Sequence, residues 1–194
     1  MQQDNVDTIY AFLKEINAFK SQQRFSLITE GGRRESDAEH TWHLVMSVWL
    51  YSSVFEKSID LLKAMKLALV HDLVEIYAGD VYGGAPEEQR RGKQEREQAA
   101  AEKLFSQLPH DFQKEFTDLW NEYEQRETVE SQYVWALDKI APSFQLAITK
   151  TDAAEHLPTD TARFAQQEDT ITNLSPSLGE VLNKIRKDRG SGAG

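Results

Sequence analysis

The stretch Leu67-Ala-Leu-Val-His-Asp-Leu-Val-Glu-Ile-Tyr-Ala-Gly-Asp80 combines an apolar helical pattern with a concentrated group of polar residues. His71 and Asp72 are adjacent and follow an apolar run, and Glu75 comes four residues after His71. Burying imidazole and carboxylate groups is costly unless each group finds a partner. The stretch therefore predicts either a buried ion-pair network or a metal site in which a bound divalent cation offsets that cost.

The same stretch predicts a central helix from about Leu61 to Tyr77, because apolar residues occur on most of its sides. Neighbouring residues on a helix differ by about 100° in direction, so both members of the His71-Asp72 pair can border one cavity. Glu75 lies one turn further on and joins the wall of that cavity. The loop over residues 77–86, rich in Gly and ending in Pro, is expected to place Asp80 at the cavity mouth.

The rest of the chain shows helical periodicity and no pattern that predicts a strand. We predict helices over residues 4–20, 36–55, 87–105, 109–124, 129–150, 164–174 and 176–185, and a loop over residues 20–35. The tetrapeptide Ser36-Asp-Ala-Glu39 has the form of a capping box that starts the second of these helices. The predicted fold is therefore all-α, with one domain over residues 1–188 and a disordered tail over residues 189–194.

Length, charge and cysteine content limit the classes of function. The chain has 194 residues, a formal net charge of -10 and no cysteine. Disulfides and thiolate metal sites are thereby excluded, and the composition fits a reducing cytoplasm. We expect no nucleic-acid partner, because a strongly acidic chain repels polyanions, and no membrane partner, because no apolar run approaches about 20 residues. A phosphate substrate would need local cations or a metal ion.

Three further polar residues, His40, His43 and Asp138, occur within apolar helical patterns. His40 falls in the first turn after the capping box, and His43 follows on nearly the same helical face. Three interpretations remain open: both histidines are ligands, one is a ligand and the other packs or supports it, or both are structural. Asp138 has Leu137, Ile140 and Ala141 as neighbours. The nitrogen and oxygen donors of His40, His71, Asp72 and Asp138 suit Mn, Co, Fe, Ni, Zn or Mg.

Four segments resemble the HD-domain superfamily of metal-dependent phosphohydrolases, and more closely its subgroup of five-prime-deoxynucleotidases. They are Ser36-Asp-Ala-Glu-His40, the stretch from Leu67 to Asp80, Leu119-Trp-Asn-Glu-Tyr-Glu124 and Leu137-Asp138. The resemblance covers residues 10 to 150, which it identifies as the core of an HD-type helical domain. Residues 151–188 would then form a C-terminal helical extension that supports this core.

The resemblance implies a role for each candidate residue. One divalent metal ion would be held by His40, His71, Asp72 and Asp138. Glu75 would act as the acid/base group, and Asp80 as a second catalytic or sugar-contacting carboxylate. Arg24 would bind the substrate phosphate. Phe25 lies where some members have a tryptophan against the sugar, a departure that leaves the choice between ribose and deoxyribose open. Members are commonly homodimers, which implies a homodimer here.

The predicted function is therefore metal-dependent hydrolysis of a phosphate monoester, with a (deoxy)nucleoside five-prime-monophosphate as the substrate. An HD-type hydrolase acting on another phosphomonoester or on a phosphodiester is one alternative, because no base pocket can be identified in the sequence. A non-catalytic nucleotide-binding module is another. That module would be expected to lack some of the four ligands or one of Glu75 and Asp80, and this chain has all six residues.

Overall fold

Helices make up most of the chain in this computed structural model, which describes residues 2–29, 32–150 and 160–190. In chain order the helices are α1 (Gln2–Glu15), α2 (Asp37–Tyr51), α3 (Leu61–Val70), α4 (Glu75–Ala78), α5 (Glu87–Arg90), α6 (Lys93–Phe105), α7 (His110–Gln125), α8 (Val129–Thr149), α9 (Thr161–Leu174) and α10 (Pro176–Gly190). A 3-10 helix (Ile16–Lys20) and two strands, β1 (Gln23–Leu27) and β2 (Arg34–Ser36), lie between α1 and α2. The all-α prediction is confirmed, with one small sheet added.

Three helices, α2, α3 and α8, pack against one another at the centre of the fold. Leu44 and Val48 of α2, Leu67 of α3 and Tyr133 of α8 are completely buried. The Tyr133 hydroxyl donates a hydrogen bond of 2.8 Å to the carbonyl oxygen of Val48, which satisfies a polar group inside this core. Leu137, one turn further along α8, is also buried.

This core fixes the positions of the polar candidates. His40 lies one turn before Leu44 on α2, and His71 lies one turn after Leu67. The predicted capping box is present at the start of α2: the Ser36 hydroxyl accepts from the backbone N–H of Glu39, and the Glu39 carboxylate accepts from the backbone N–H of Ser36. Capping of this kind stabilises a helix by about 1 kcal/mol and fixes where it begins.

The prediction of one continuous helix from Leu61 to Tyr77 is wrong. α3 ends at Val70, and a turn over residues 71–74 separates it from α4. In this turn the N–H of Leu73 bonds to the carbonyl of Val70, and the N–H of Glu75 bonds to that of Asp72. These bonds span three residues rather than four and wind the chain more tightly than an α-helix does. The polar residues therefore lie at an interruption of the helix.

The predicted helix over residues 87–105 is also interrupted. Gly92 has a φ of 73°, a left-handed conformation that glycine adopts at little cost, and it separates α5 from α6. Lys93 consequently becomes the first residue of α6.

The predicted loop over residues 20–35 instead contains an antiparallel hairpin. Gln23 pairs with Ser36, and Leu27 pairs with Arg34. The side-chain amide of Gln145, on α8, donates a hydrogen bond of 2.6 Å to the carbonyl of Leu27 and attaches the hairpin to the helical core. β1 therefore holds its residues at a fixed place above α8.

The last two helices pack on each other and on α8. Leu178, Leu182 and Ile185 of α10 are buried. α10 continues to Gly190, so the predicted disordered tail over residues 189–194 is wrong for its first two residues, while residues 151–159 and 191–194 lie outside the described part of the chain. Within the described ranges, every helix is too short or too polar to cross a bilayer.

Candidate metal centre and substrate pocket

Two imidazoles and two carboxylates meet where α2, α3 and α8 converge. His40, His71, Asp72 and Asp138 each offer one ligand atom, and these four atoms lie within 4.8 Å of one another. Nε2 of His40 is 3.0 Å from Oδ1 of Asp138, and Nε2 of His71 is 2.9 Å from Oδ2 of Asp72. Only Asp72 has appreciable exposure, with 15% of its side chain accessible. The fold thus brings together residues up to 98 positions apart in the sequence.

His43 does not join this cluster. Its ring stacks on that of Phe144, with 5.2 Å between the centroids and an angle of 28° between the planes. Of the three arrangements that the sequence left open for His40 and His43, the structure therefore shows one histidine in the cluster and one that packs.

The contacts of His71 indicate that one of its ring nitrogens is available to a cation. Nδ1 lies 2.8 Å from the carbonyl oxygen of Ala68, which accepts a hydrogen bond from it and so assigns the ring proton to Nδ1. Nε2 is buried without a hydrogen bond of adequate geometry, although Asp72 is close by. A buried imidazole nitrogen directed at carboxylate oxygens is what a metal site requires.

The carboxylates of the cluster create a strongly negative electrostatic potential. Burial lowers the pKa of His40 to about 4, and the nearby Arg24 acts in the same direction, so His40 is neutral. Burial also opposes a charge on His71, but Asp72 and Asp138 overcome it and raise the pKa of His71 to about 10. Carboxylates that attract a proton so strongly to one point also attract a divalent cation there. The two nitrogen and two oxygen donors fit one divalent metal ion.

The second oxygen of Asp138 is held by its own set of donors. The hydroxyl of Tyr123 donates to Oδ2 at 2.8 Å, and the ammonium of Lys139 donates to the same atom at 2.6 Å. Oδ1 is thereby turned toward His40. Partners of this kind orient a metal ligand. The sequence assigned no role to Tyr123 or Lys139, because nothing local shows that either side chain contacts Asp138.

Arg24, on β1, lies at the edge of the cluster. Its Nη1 donates to Oδ2 of Asp72 at 2.7 Å, and its Nη2 is 4.0 Å from Oδ1 of Asp138. Oδ1 of Asp37 lies 3.5 Å from the same Nη1. Asp37 is completely buried, and neither of its carboxylate oxygens has a hydrogen-bond partner. The sequence did not indicate a role for it. Burial opposes the charge of Arg24, but Asp72 and Asp138 raise its pKa well above the usual value.

Glu75 and Asp80 line the same cavity as the cluster. Glu75 is 2% exposed, and its Oε2 has no hydrogen-bond partner. Burial, with Asp72 and Asp80 adding to it, raises the pKa of Glu75 well above the usual value. Asp80 is half-buried and follows Gly79, whose φ of 76° makes the turn that directs the chain back over the cavity.

The cavity beside the cluster has a volume of about 490 Å³, within the usual range for small-molecule sites. Phe25 lies on its wall with its ring 5.4 Å from that of Tyr82. Phe164 and Gln167 of α9 and Leu182 of α10 line another part of the wall. The C-terminal helices therefore help to form the pocket, whereas the sequence indicated only that they support the core.

Comparisons with known proteins agree on the family. The sequence pattern of a family described as "HD domain" matches residues 16–178. The human protein named "5'-deoxynucleotidase HDDC2" is 28% identical over 186 residues, which cover 94% of this chain and 86% of that protein. "5'-deoxynucleotidase YGK1" from Saccharomyces cerevisiae is 29% identical over 66% of this chain and 60% of its own length. A crystal structure of a "Predicted metal-dependent phosphohydrolase" from Magnetospirillum magnetotacticum MS-1 has 30% identity and a TM-score of 0.86, covering 96% of this chain and 93% of that one.

Proposed function

The chain belongs to the HD-domain family, and from this premise we propose that it is a metal-dependent phosphohydrolase that releases phosphate from (deoxy)nucleoside five-prime-monophosphates. The observation that carries the proposal is the joint placement of the four-ligand cluster, Arg24 and Glu75 at one cavity. A protein that only stored a metal ion would need neither the guanidinium of Arg24 nor the buried carboxylate of Glu75 beside the cluster. The names of the human and yeast relatives support a nucleotide substrate.

His40, His71, Asp72 and Asp138 would hold one divalent ion, and the unpartnered Nε2 of His71 supports this ligand set. Mn, Co, Fe, Ni, Zn and Mg all suit these donors. When bound, such an ion lowers the pKa of a coordinated water and offsets the charge of the phosphate.

Arg24 binds and orients the phosphate in this proposal. Its guanidinium is 14% exposed, lines the cavity and presents several N–H donors in a planar fork that matches two phosphate oxygens. Asp37, buried 3.5 Å from Nη1, would help to hold the guanidinium in position. The phosphate would therefore bind in the cavity that Arg24, Asp72 and Asp138 line together, within reach of the guanidinium and of the bound ion.

Glu75 carries the proton in this proposal. Its Oε2 is buried without a partner, so it can accept a proton from the attacking water or return one to the leaving oxygen. Asp80, which lines the same cavity, would contact the sugar or act as a second catalytic carboxylate. Phe25, Tyr82 and Phe164 provide apolar surface for the nucleoside.

We further propose that the enzyme is a cytoplasmic homodimer built from one HD-type domain over residues 1–188. The absence of cysteine suits a reducing compartment. Trp42 and Trp49, seven residues apart on α2, are 67% and 54% exposed and offer an apolar face to a second copy. Light scattering during gel filtration would give the mass, and a monomer at 22.2 kDa would refute the dimer.

The test is phosphate release from ribo- and deoxyribonucleoside five-prime-monophosphates, assayed side by side with added divalent ions. Glu75→Gln is the test variant, since it keeps the shape of the side chain but cannot take up a proton. We expect metal-dependent release by the wild type and a loss of at least about 100-fold in the variant, with metal content unchanged. Release only from other phosphomonoesters or from phosphodiesters would change the substrate class, and binding of nucleotides without any release would indicate the non-catalytic alternative.

A further inference from the structure

We propose that Lys93 is a second cationic ligand of the substrate phosphate, held at the cavity wall by Glu97. This inference rests on the proposed function, and it adds a residue that the family resemblance did not supply. It also addresses how a chain with a formal net charge of -10 can bind a dianion in a cavity lined by Asp72, Glu75 and Asp80.

The geometry leaves donors of Lys93 free for a ligand. Its Nζ is 3.1 Å from Oε1 of Glu97, one helical turn further along α6, and 3.9 Å from Oε1 of Glu75. The second distance is too long for a hydrogen bond. An ammonium group has three N–H donors. One is directed to Glu97, and the side chain, 35% exposed, lines the cavity beside Glu75.

Glu97 acts as a positioning residue for Lys93. It is only 8% exposed, and a carboxylate buried this deeply needs a charged partner, which Lys93 provides. Gly92 directs the chain so that Lys93 begins α6 at the cavity rather than continuing α5. The ammonium is therefore held in place before any ligand arrives, which reduces the conformational entropy lost on binding.

The other cations on the described cavity wall are committed elsewhere or lie further out. Lys139 donates to Asp138, a member of the ligand cluster. Arg163 donates to the carbonyl of Gly83. Arg189 is an exposed residue near the end of α10. Lys93 differs from these three side chains, because its ammonium lies 3.9 Å from Glu75 and keeps donors directed at the cavity.

The experiment uses the full-length, metal-loaded protein and compares Lys93→Met with Lys114→Met. Lys114 also pairs with a carboxylate four residues further on, Asp118, but it is 71% exposed and lies outside the cavity. Isothermal calorimetry measures binding of inorganic phosphate, and steady-state kinetics give KM and kcat. We expect Lys93→Met to weaken phosphate binding and to raise KM about tenfold or more, with metal content unchanged, because one charge-assisted hydrogen bond is lost. Lys114→Met should match the wild type.

Two further variants guard against misfolding and misassignment. Lys93→Arg keeps the charge and should stay within about threefold of the wild type, while Glu97→Gln should weaken phosphate binding by a few fold, because it only releases Lys93. Phosphate binding by Lys93→Met within twofold of the wild type overturns the proposal, even if kcat falls, since Lys93 would then act through Glu75. The wild type could also bind phosphate through Lys93 and yet release no phosphate from any nucleotide. That result would refute the proposed function and leave the inference about Lys93 intact.

Discussion

The cluster of His40, His71, Asp72 and Asp138, here called the metal floor, is built differently from the residues above it. The floor stands on α2, α8 and the turn that ends α3, next to the most buried side chains of the molecule. The pocket wall, defined as Arg24, Phe25, Asp80 and Lys93, stands on a short hairpin, a glycine turn and the first residue of a helix.

This difference indicates that metal binding and substrate binding have separate structural support. The floor is a product of core packing, so its geometry should be rigid and changes in it should remove the metal ion. The wall is attached to the core by a few contacts, such as the bond from Gln145 to Leu27. Changes in the wall should alter substrate binding and leave metal content intact.

The largest effect is expected from Asp72→Ala, which tests the floor. It removes a ligand and leaves the buried His71 and Arg24 without their nearest carboxylate. We expect loss of bound metal and at least about a 1,000-fold loss of activity. Metal content measured by mass spectrometry on chelator-free protein checks this, and full occupancy in the variant would show that the ligand set is wrong.

Tyr123→Phe tests whether the floor depends on the residues that orient it. The change removes the hydrogen bond to Oδ2 of Asp138 and nothing else of similar strength. Loss of a partner behind a metal ligand typically costs 10–100-fold in metal affinity. We therefore expect the metal dissociation constant to rise by about tenfold, with KM for the nucleotide unchanged at saturating metal. Titration with a metal-sensitive dye provides the measurement. An unchanged dissociation constant would show that Tyr123 does not contribute to metal affinity.

Arg24→Lys tests the wall. Lysine keeps the positive charge near Asp72 and Asp37 but cannot present the forked donors of a guanidinium. We expect KM to rise about tenfold, with metal affinity changed by less than about twofold. A parallel loss of metal would show that Arg24 belongs to the floor and that the two regions are not separate.

Phe25→Trp should produce the smallest effect. Phe25 contacts Tyr82 on the cavity wall, and Arg34 lies 4.8 Å above its ring. A larger ring narrows the space at the expected sugar position. We predict a change of about two- to threefold in the ratio of kcat/KM for deoxyribo- over ribonucleotides, with metal content unaffected. A ratio that does not move would place the sugar away from Phe25.

The sequence predicted the floor well because its signals are local. A capping box locates His40 at the start of a helix, and an apolar run makes an adjacent His71-Asp72 pair costly unless something binds it. Asp138 was recognised by its apolar neighbours on a long helix, which the structure shows as α8. In each case the polar residue differs from the apolar pattern around it.

The sequence predicted the wall and its supports less completely, because these depend on contacts between distant segments. The pairing of β1 with β2 involves short, charged strands without clear alternation. No glycine or proline lies in residues 71–74, so the break after α3 has no local signal in the sequence. Tyr123 contacts Asp138, and Lys93 lies near Glu75, only because separate helices are packed together in the fold.

The most direct test of the central claim is to remove the metal ion and restore it. The wild-type protein is stripped with a chelator, dialysed and assayed for phosphate release from a deoxynucleoside five-prime-monophosphate, before and after adding Mn, Co, Fe, Ni, Zn or Mg. We predict no release by the stripped protein, restoration by at least one ion at about one equivalent per chain, and no restoration in Asp72→Ala. Release that survives stripping, or that no ion restores in a folded protein, would contradict a metal-dependent hydrolase at this site.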